Sequence, residues 1–195
     1  MKSQSPLDIV HEKGLNGDYE GKNESDILKI NEVKNLLIVQ IVKFKDSKIT
    51  ISNFKINGIE MSEESNMVKS INETRILWVG PNNWLVTSTD KNLLPKIKET
   101  FKETDFAVTD LSHSRAIIEI EGKNCKEVLK KGCPYNFNDL KKNNCVNSIF
   151  HGITLTIDMM NDSPEKIRLF ALRSFGESMH HSITDASLEF GYKNI

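Results

Sequence analysis

The sequence predicts an α+β fold made of two similar, sandwich-like halves, each pairing strands with a packed helix. Three observations carry this. Runs of strand length alternate apolar and polar residues, as in "GITLTID", and are separated by turn residues. Amphipathic stretches of helical period follow such strands in two places. The order strand, strand, helix occurs twice in 195 residues, with "RILWVGPNNWLVTSTDKNLLPKIKETF" corresponding loosely to "IRLFALRSFGESMHHSITDASLEF".

Residues 1 to about 30 are polar and carry Gly14, Gly17 and Gly21, which predicts an arm that orders only by docking on something. One domain then runs over 31–192, in halves of about 31–104 and 105–192. Leu36 to Phe44 is rich in β-branched residues and predicts a buried strand; "KITISNF" (48–54) alternates like a neighbouring strand, and 57–74 reads as loop. "RILWVGPNNWLVTST" predicts a hairpin turning at Gly80 to Asn83. Leu93, Leu94, Ile97 and Phe101 have helical spacing behind Asp90, a capping candidate, and Pro95 is tolerated only near a helix start.

The second half opens with the strand "RAIIEIE", continues with a short helix, "KNCKEVLKKG", stopped by Gly132, and reaches a hairpin whose turn holds His151 and Gly152. "KIRLFAL" is a further strand. In the last helix Phe175, Met179, Ile183, Ala186 and Phe190 share one face; Ser174 is placed as N-cap with Glu177 completing a capping box, and Gly191 ends the helix.

With 26 Lys+Arg against 27 Asp+Glu, scattered rather than clustered, the chain lacks the broad basic footprint of a nucleic-acid binder. No apolar run reaches the 18 residues of a membrane helix, and no secretory h-region opens the chain, so a soluble, cytoplasmic protein is expected. Cys125, Cys133 and Cys145 are odd in number and lack C-x-x-C spacing, which predicts free thiols in a reducing compartment.

Candidate chemistry concentrates in "VTDLSHSRAIIEIEG", where Asp110, Ser112 and His113 lie within four positions. In an extended segment the first two face one way and His113 the other, and no G-x-S-x-G elbow exists, so a turn in which Asp110 or Ser112 accepts backbone N–H groups is favoured over a nucleophilic triad. His180 and His181 diverge by about 100 degrees on a helix and suit no common metal. His181 and Asp185 read as a surface ion pair, Cys133 as a small apolar residue ending a helix, and Trp78 with Trp84 as a cross-strand pair. No phosphate-binding glycine loop is present.

The segment "DLSHSRAIIEIEGKNCKEVLKKGCPYNF", with Asp110, Ser112, His113, Arg115, Gly122, Leu129 and Lys131-Gly132-Cys133, resembles the gamma subunits of heterotetrameric sarcosine oxidases. Gly80, Pro81, Trp84 and Leu85 agree with that pattern, as do Arg173, Ser174 and Phe175 ahead of a helix running to "FGY"; the likeness covers about 75–192. More distantly, the chain is similar to the folate-binding family of the glycine cleavage T-protein, but without its C-terminal domain and with a lone Asp158 where those enzymes have adjacent acids.

The resemblance implies antiparallel sheets with helices on one face and a cofactor-free subunit that docks on the alpha subunit of an assembly also containing beta and delta subunits. FAD, FMN, NAD and tetrahydrofolate are then associated with the other subunits, and the assembly oxidises sarcosine to glycine, producing hydrogen peroxide and methylene-tetrahydrofolate. It also implies structural or interface roles for Asp110, Ser112, His113, Arg115, Gly132, Cys133, Arg173, Ser174 and Phe175, with Arg115 pairing a carboxylate of the fold or of a partner.

Overall fold

Residues 4–195 are described by a computed structural model; the first three residues of the polar arm lie outside the described residues. The strands are β1 (Gly14–Asn16), β2 (Leu28–Glu32), β3 (Leu37–Lys43), β4 (Lys55–Ile56), β5 (Ile59–Glu60), β6 (Val68–Ile71), β7 (Thr74–Gly80), β8 (Asn83–Ser88), β9 (Phe106–Asp110), β10 (Arg115–Glu121), β11 (Cys145–Phe150), β12 (Ile153–Asp162), β13 (Glu165–Leu172) and β14 (Tyr192–Asn194). The α-helices are α1 (Leu93–Thr100), α2 (Cys125–Lys130) and α3 (Gly176–Ser187).

The chain forms two compact units. One comprises Asn35–His113 with Asn143–Val146; the other holds the residues up to Lys34, Ser114–Lys142 and Asn147–Ile195. Residues 105–113, grouped with the second half on sequence grounds, fall in the first unit because β9 pairs along β3.

In the first unit five antiparallel strands run in the order β6-β7-β8-β3-β9. The expected hairpin forms, with Trp78 opposite Trp84, a bulge before Gly80 and Asn82 in the left-handed region at φ 56°. "KITISNF" is not a strand. Both edges of β3 are occupied, by β8 and β9, so the segment has no ladder to join; it folds instead into a 3₁₀ turn at Ile51–Asn53 that buries Ile51. Conversely, the expected loop 57–74 contains β5 and β6, the latter paired with β7 through a turn at Asn72, φ 51°. Asp90 accepts the Asn92 N–H at 2.9 Å and so shapes the turn that precedes α1 rather than capping the helix itself. α1 buries Leu93 and Ile97, and Phe101 behind it joins Phe54 and Phe106 in an aromatic cluster with ring centroids 5.0–5.2 Å apart.

The second unit is a seven-stranded sheet, β1-β14-β2-β10-β13-β12-β11, in which β14 and β2 are parallel. Helices α2 and α3 pack on it, burying Val128, Leu129, Met179, Ile183 and Ala186. α3 approaches β10 closely at Gly176, where a Cβ would sit 3.1 Å from the Ala116 Cβ and a small shift would be needed to admit it. The polar N-terminal stretch is part of this fold, since β1 and β2 belong to the sheet and Leu7 is fully buried. Ser174 does not cap α3. A 3₁₀ turn, Arg173–Phe175, precedes the helix, Phe175 holds the N-cap position, and no side chain makes the cap bond. α2 ends at Lys130, two residues before Gly132.

Candidate functional site

The Asp110–His113 turn is built from the end of β9. Asp110 Oδ1 accepts both the Ser112 N–H (2.9 Å) and the Ser112 hydroxyl (2.6 Å), while Ser112 Oγ accepts the Ile38 N–H (3.0 Å) and Leu111 N–H donates to Ile38 O (2.8 Å). The hydroxyl thereby extends the β3/β9 ladder by one rung, replacing a main-chain acceptor. The hydrogen bond from the Ser112 hydroxyl chiefly holds the Asp110 carboxyl below its ordinary range; burial opposes it, and the Ser112 N–H and the charges of His113 and Lys98 add to the lowering. The Ser112 proton is committed to Asp110, not to His113, so the arrangement is that of a turn and not of a nucleophile with its base.

Arg115 begins β10 in the second unit, opposite Leu172, the last residue of β13. Its guanidinium is partly buried, and burial lowers its pKa from the ordinary value. Among the described residues it meets no carboxylate; it donates to the Ser114 carbonyl and hydroxyl, each at 3.3 Å. The Arg173 N–H donates to Ser114 O at 2.9 Å, and its guanidinium donates to Gln4 O. Arg173 and Ser174 line an open groove of about 810 Å³ whose other walls include Ile9, Leu172 and Glu177. Leu172 and Phe175 are about half exposed and Ile9 is 72% exposed, so the end of the sheet joins two arginines to an uncovered apolar surface.

Gly132 lies under the ring of His151. A Cβ there would come within 2.6 Å of His151 Cδ2 and 2.9 Å of Phe150 Cε2. His151 itself occupies the hairpin turn with φ 47°, followed by Gly152 at 84°, and its N–H donates to Gly132 O at 3.1 Å. Cys133 is buried and directs its Sγ to Ser148 Oγ at 3.1 Å; Cys125 and Cys145 are likewise buried free thiols, and burial pushes the Cys125 thiol strongly upward, away from reactivity. No group of three His, Cys, Asp or Glu suited to a metal ion occurs among the described residues.

Two clusters escaped the sequence reading. The first is a charged ladder across β10 and β13: Arg168 donates to Glu119 through Nε at 2.7 Å, and Lys166 bridges Glu119 (2.9 Å) and Glu121 (3.5 Å). Burial opposes the charge on Glu119, yet Arg168 and Lys166 outweigh it and hold the carboxyl below its usual range. Alternating acids in "RAIIEIE" and alternating bases in "EKIR" were the available signal. The second cluster joins His11 to His180, with Nδ1 to Nε2 at 3.2 Å, and was invisible because the two lie 169 positions apart. His181, by contrast, is exposed, as is Asp185. Asp158 is fully buried on β12, opposite Arg168.

Two largely antiparallel sheets carrying a few packed helices define an α+β chain with the fold of the glycine cleavage T-proteins. The aminomethyltransferase T of Bartonella henselae superposes with a TM-score of 0.58 at 8% identity, covering 80% of this chain and 45% of that one. More specifically, residues 44–189 match the sarcosine oxidase, gamma subunit family, and the chain belongs to that family. It is 25% identical over 128 residues to the sarcosine oxidase subunit gamma of Corynebacterium sp. (strain U-96), a match spanning 64% of this chain and 62% of that relative. A chain of the heterotetrameric sarcosine oxidase from Corynebacterium sp. U-96, solved with pyrrole 2-carboxylate, shares the fold at a TM-score of 0.82 and 19% identity, over 96% of this chain and 95% of that one.

Proposed function

We propose that this chain is the gamma subunit of a heterotetrameric sarcosine oxidase and acts there as a non-catalytic assembly subunit docked on the alpha subunit, with beta and delta subunits completing the complex. The assembly oxidises sarcosine to glycine with formation of hydrogen peroxide and methylene-tetrahydrofolate in the cytoplasm; FAD, FMN, NAD and tetrahydrofolate are held by the other subunits. The observation that carries the reading is the family match, whose span includes the Asp110–Arg115 and Arg173–Phe175 segments. Its physical support is the sheet end where Arg115 and Arg173, without carboxylate partners among the described residues, adjoin exposed Leu172 and Phe175. Such a surface suits a partner that brings acids and apolar side chains together. Asp110, Ser112 and His113 serve in this reading as a structural turn, and Gly132 and Cys133 as packing positions.

The test is purification of the tagged chain from its native cells, with mass spectrometry of co-eluting proteins and a flavin spectrum. A yellow complex with three further subunits is expected. A chain that elutes alone and binds tetrahydrofolate saturably, with binding weakened by Asp110→Asn or Asp158→Asn, would replace the proposal with a stand-alone folate-binding or aminomethyltransferase-like protein.

A further inference from the structure

Residues 4–13 cross the second unit as a short strap over α3. Leu7 is fully buried, and Pro6 and Leu7 lie so close to Gly176 that a Cβ there would sit 3.1 Å and 3.3 Å from them. The Val10 and His11 N–H groups both donate to Leu7 O, at 3.1 Å and 2.9 Å, so this part of the strap is a hydrogen-bonded turn. Ser5 donates its hydroxyl to Glu32, Asp8 pairs with Lys34 at 3.0 Å, and Glu12 O accepts from Asn194 Nδ2 at 2.9 Å. Gln4, Ser5, Pro6 and Ile9 of the strap form one wall of the groove beside Arg173.

His11 closes the strap. Its Nε2 lies 3.0 Å from Ile195 O and its Nδ1 3.2 Å from His180 Nε2, with the rings edge to face at 5.3 Å. The Ile195 oxygen only accepts, so His11 Nε2 carries a proton that it donates to it. In the neutral ring His11 Nδ1 is then bare and accepts the Nε2–H of His180. One added proton leaves a hydrogen bond between the rings: on His180 Nδ1 it keeps this direction, and on His11 Nδ1 it reverses it. A second puts two N–H groups and two positive charges face to face.

We propose that residues 4–13 are a proton-operated strap, closed by the neutral His11–His180 pair and released when both rings are protonated, which removes one wall of the groove. Burial of His180, together with His11 and His181, lowers its pKa to about 4 against the opposing charge of Glu32 from β2. Glu32 is itself engaged by Ser5 and, at 3.1 Å, by Lys34, which pairs in turn with Asp8. The sign follows from linkage. The closed strap binds fewer protons at His180 than the open one, in which the ring has its ordinary value near 6.5. Closure is therefore strongest above about pH 6.5 and weakens as pH falls toward 4.

The test is hydrogen exchange on the full chain at pH 7 and pH 5, corrected for intrinsic rates. Protection of the Val10 and His11 amides should fall roughly tenfold or more relative to core amides of β10. His180→Phe keeps a buried ring that does not titrate and should flatten this fall. His11→Gln leaves α3 untouched and should flatten it too, which guards against a folding defect in the first variant. A wild-type chain whose strap amides follow β10 at both pH values would overturn the proposal, as would an unchanged fall in both variants.

Discussion

Gly132 shows how a tertiary contact gives a residue a setting that its sequence neighbours do not reveal. In sequence it follows a pair of lysines and looks like a helix stop; in the fold it is the floor beneath His151, whose ring leaves no room for a Cβ. The ring arrives from 19 positions downstream, beyond the reach of any local periodicity. Gly132→Ala should destabilise the chain by about 1–3 kcal/mol through overpacking, and His151→Gly should recover much of that loss in the double variant, as read by urea unfolding. The Glu119–Arg168 pair was legible in principle, because acids on β10 and bases on β13 alternate with the period of a strand. Arg168→Met strands a buried carboxylate beside Lys166 alone and should cost about 3–5 kcal/mol. Because Glu119 titrates below its usual range in the fold, the stability from this ladder is present above about pH 4.5 and lost as pH falls through the lowered value. Unfolding curves of wild type and Arg168→Met should therefore converge in acid.

At the level of elements, what the sequence showed depended on how much apolar pattern each one carries. β3, β8, β10 and β13 have six to eight residues with enough branched and aromatic side chains to be recognised, whereas β6 offers only Val68 and Ile71 among polar neighbours. "KITISNF" failed in the opposite sense: its alternation is genuine, but β3 has no free edge, and pairing is settled by tertiary competition that no window of seven residues contains. The ladder between β3 and β9 depends on a side chain for its last rung. Ser112→Ala removes the acceptor of the Ile38 N–H and one donor to Asp110, and should destabilise the chain by about 1–3 kcal/mol. Faster amide exchange at Ile38 than at Val39 and Ile41 would localise the effect to this end of the pair, while uniform loss of protection would argue for a different role.

Across the whole molecule the α+β class, the hairpins and the closing helix were all legible, while the place of the first thirty residues was not. Their strands are three and five residues long, and β2 points Glu32 inward with Leu28 and Ile30, so hydropathy alone could not reveal that they complete a sheet. Of the candidate site, the sequence shows the motif residues but not their geometry. The turn of Asp110 and Ser112 could be argued from residue types, but the meeting of Arg115, Leu172 and Arg173 at one sheet end follows from the register of β10 against β13. That sheet end is the centre of the assembly proposal, and the most direct measurement is sedimentation of this chain mixed with the alpha subunit of the proposed complex. The account predicts one co-sedimenting species for wild type, and separate species for the Arg115→Glu, Arg173→Glu variant with its fold intact by circular dichroism. Wild-type chains that sediment separately, or a double variant that assembles as wild type does, would contradict it.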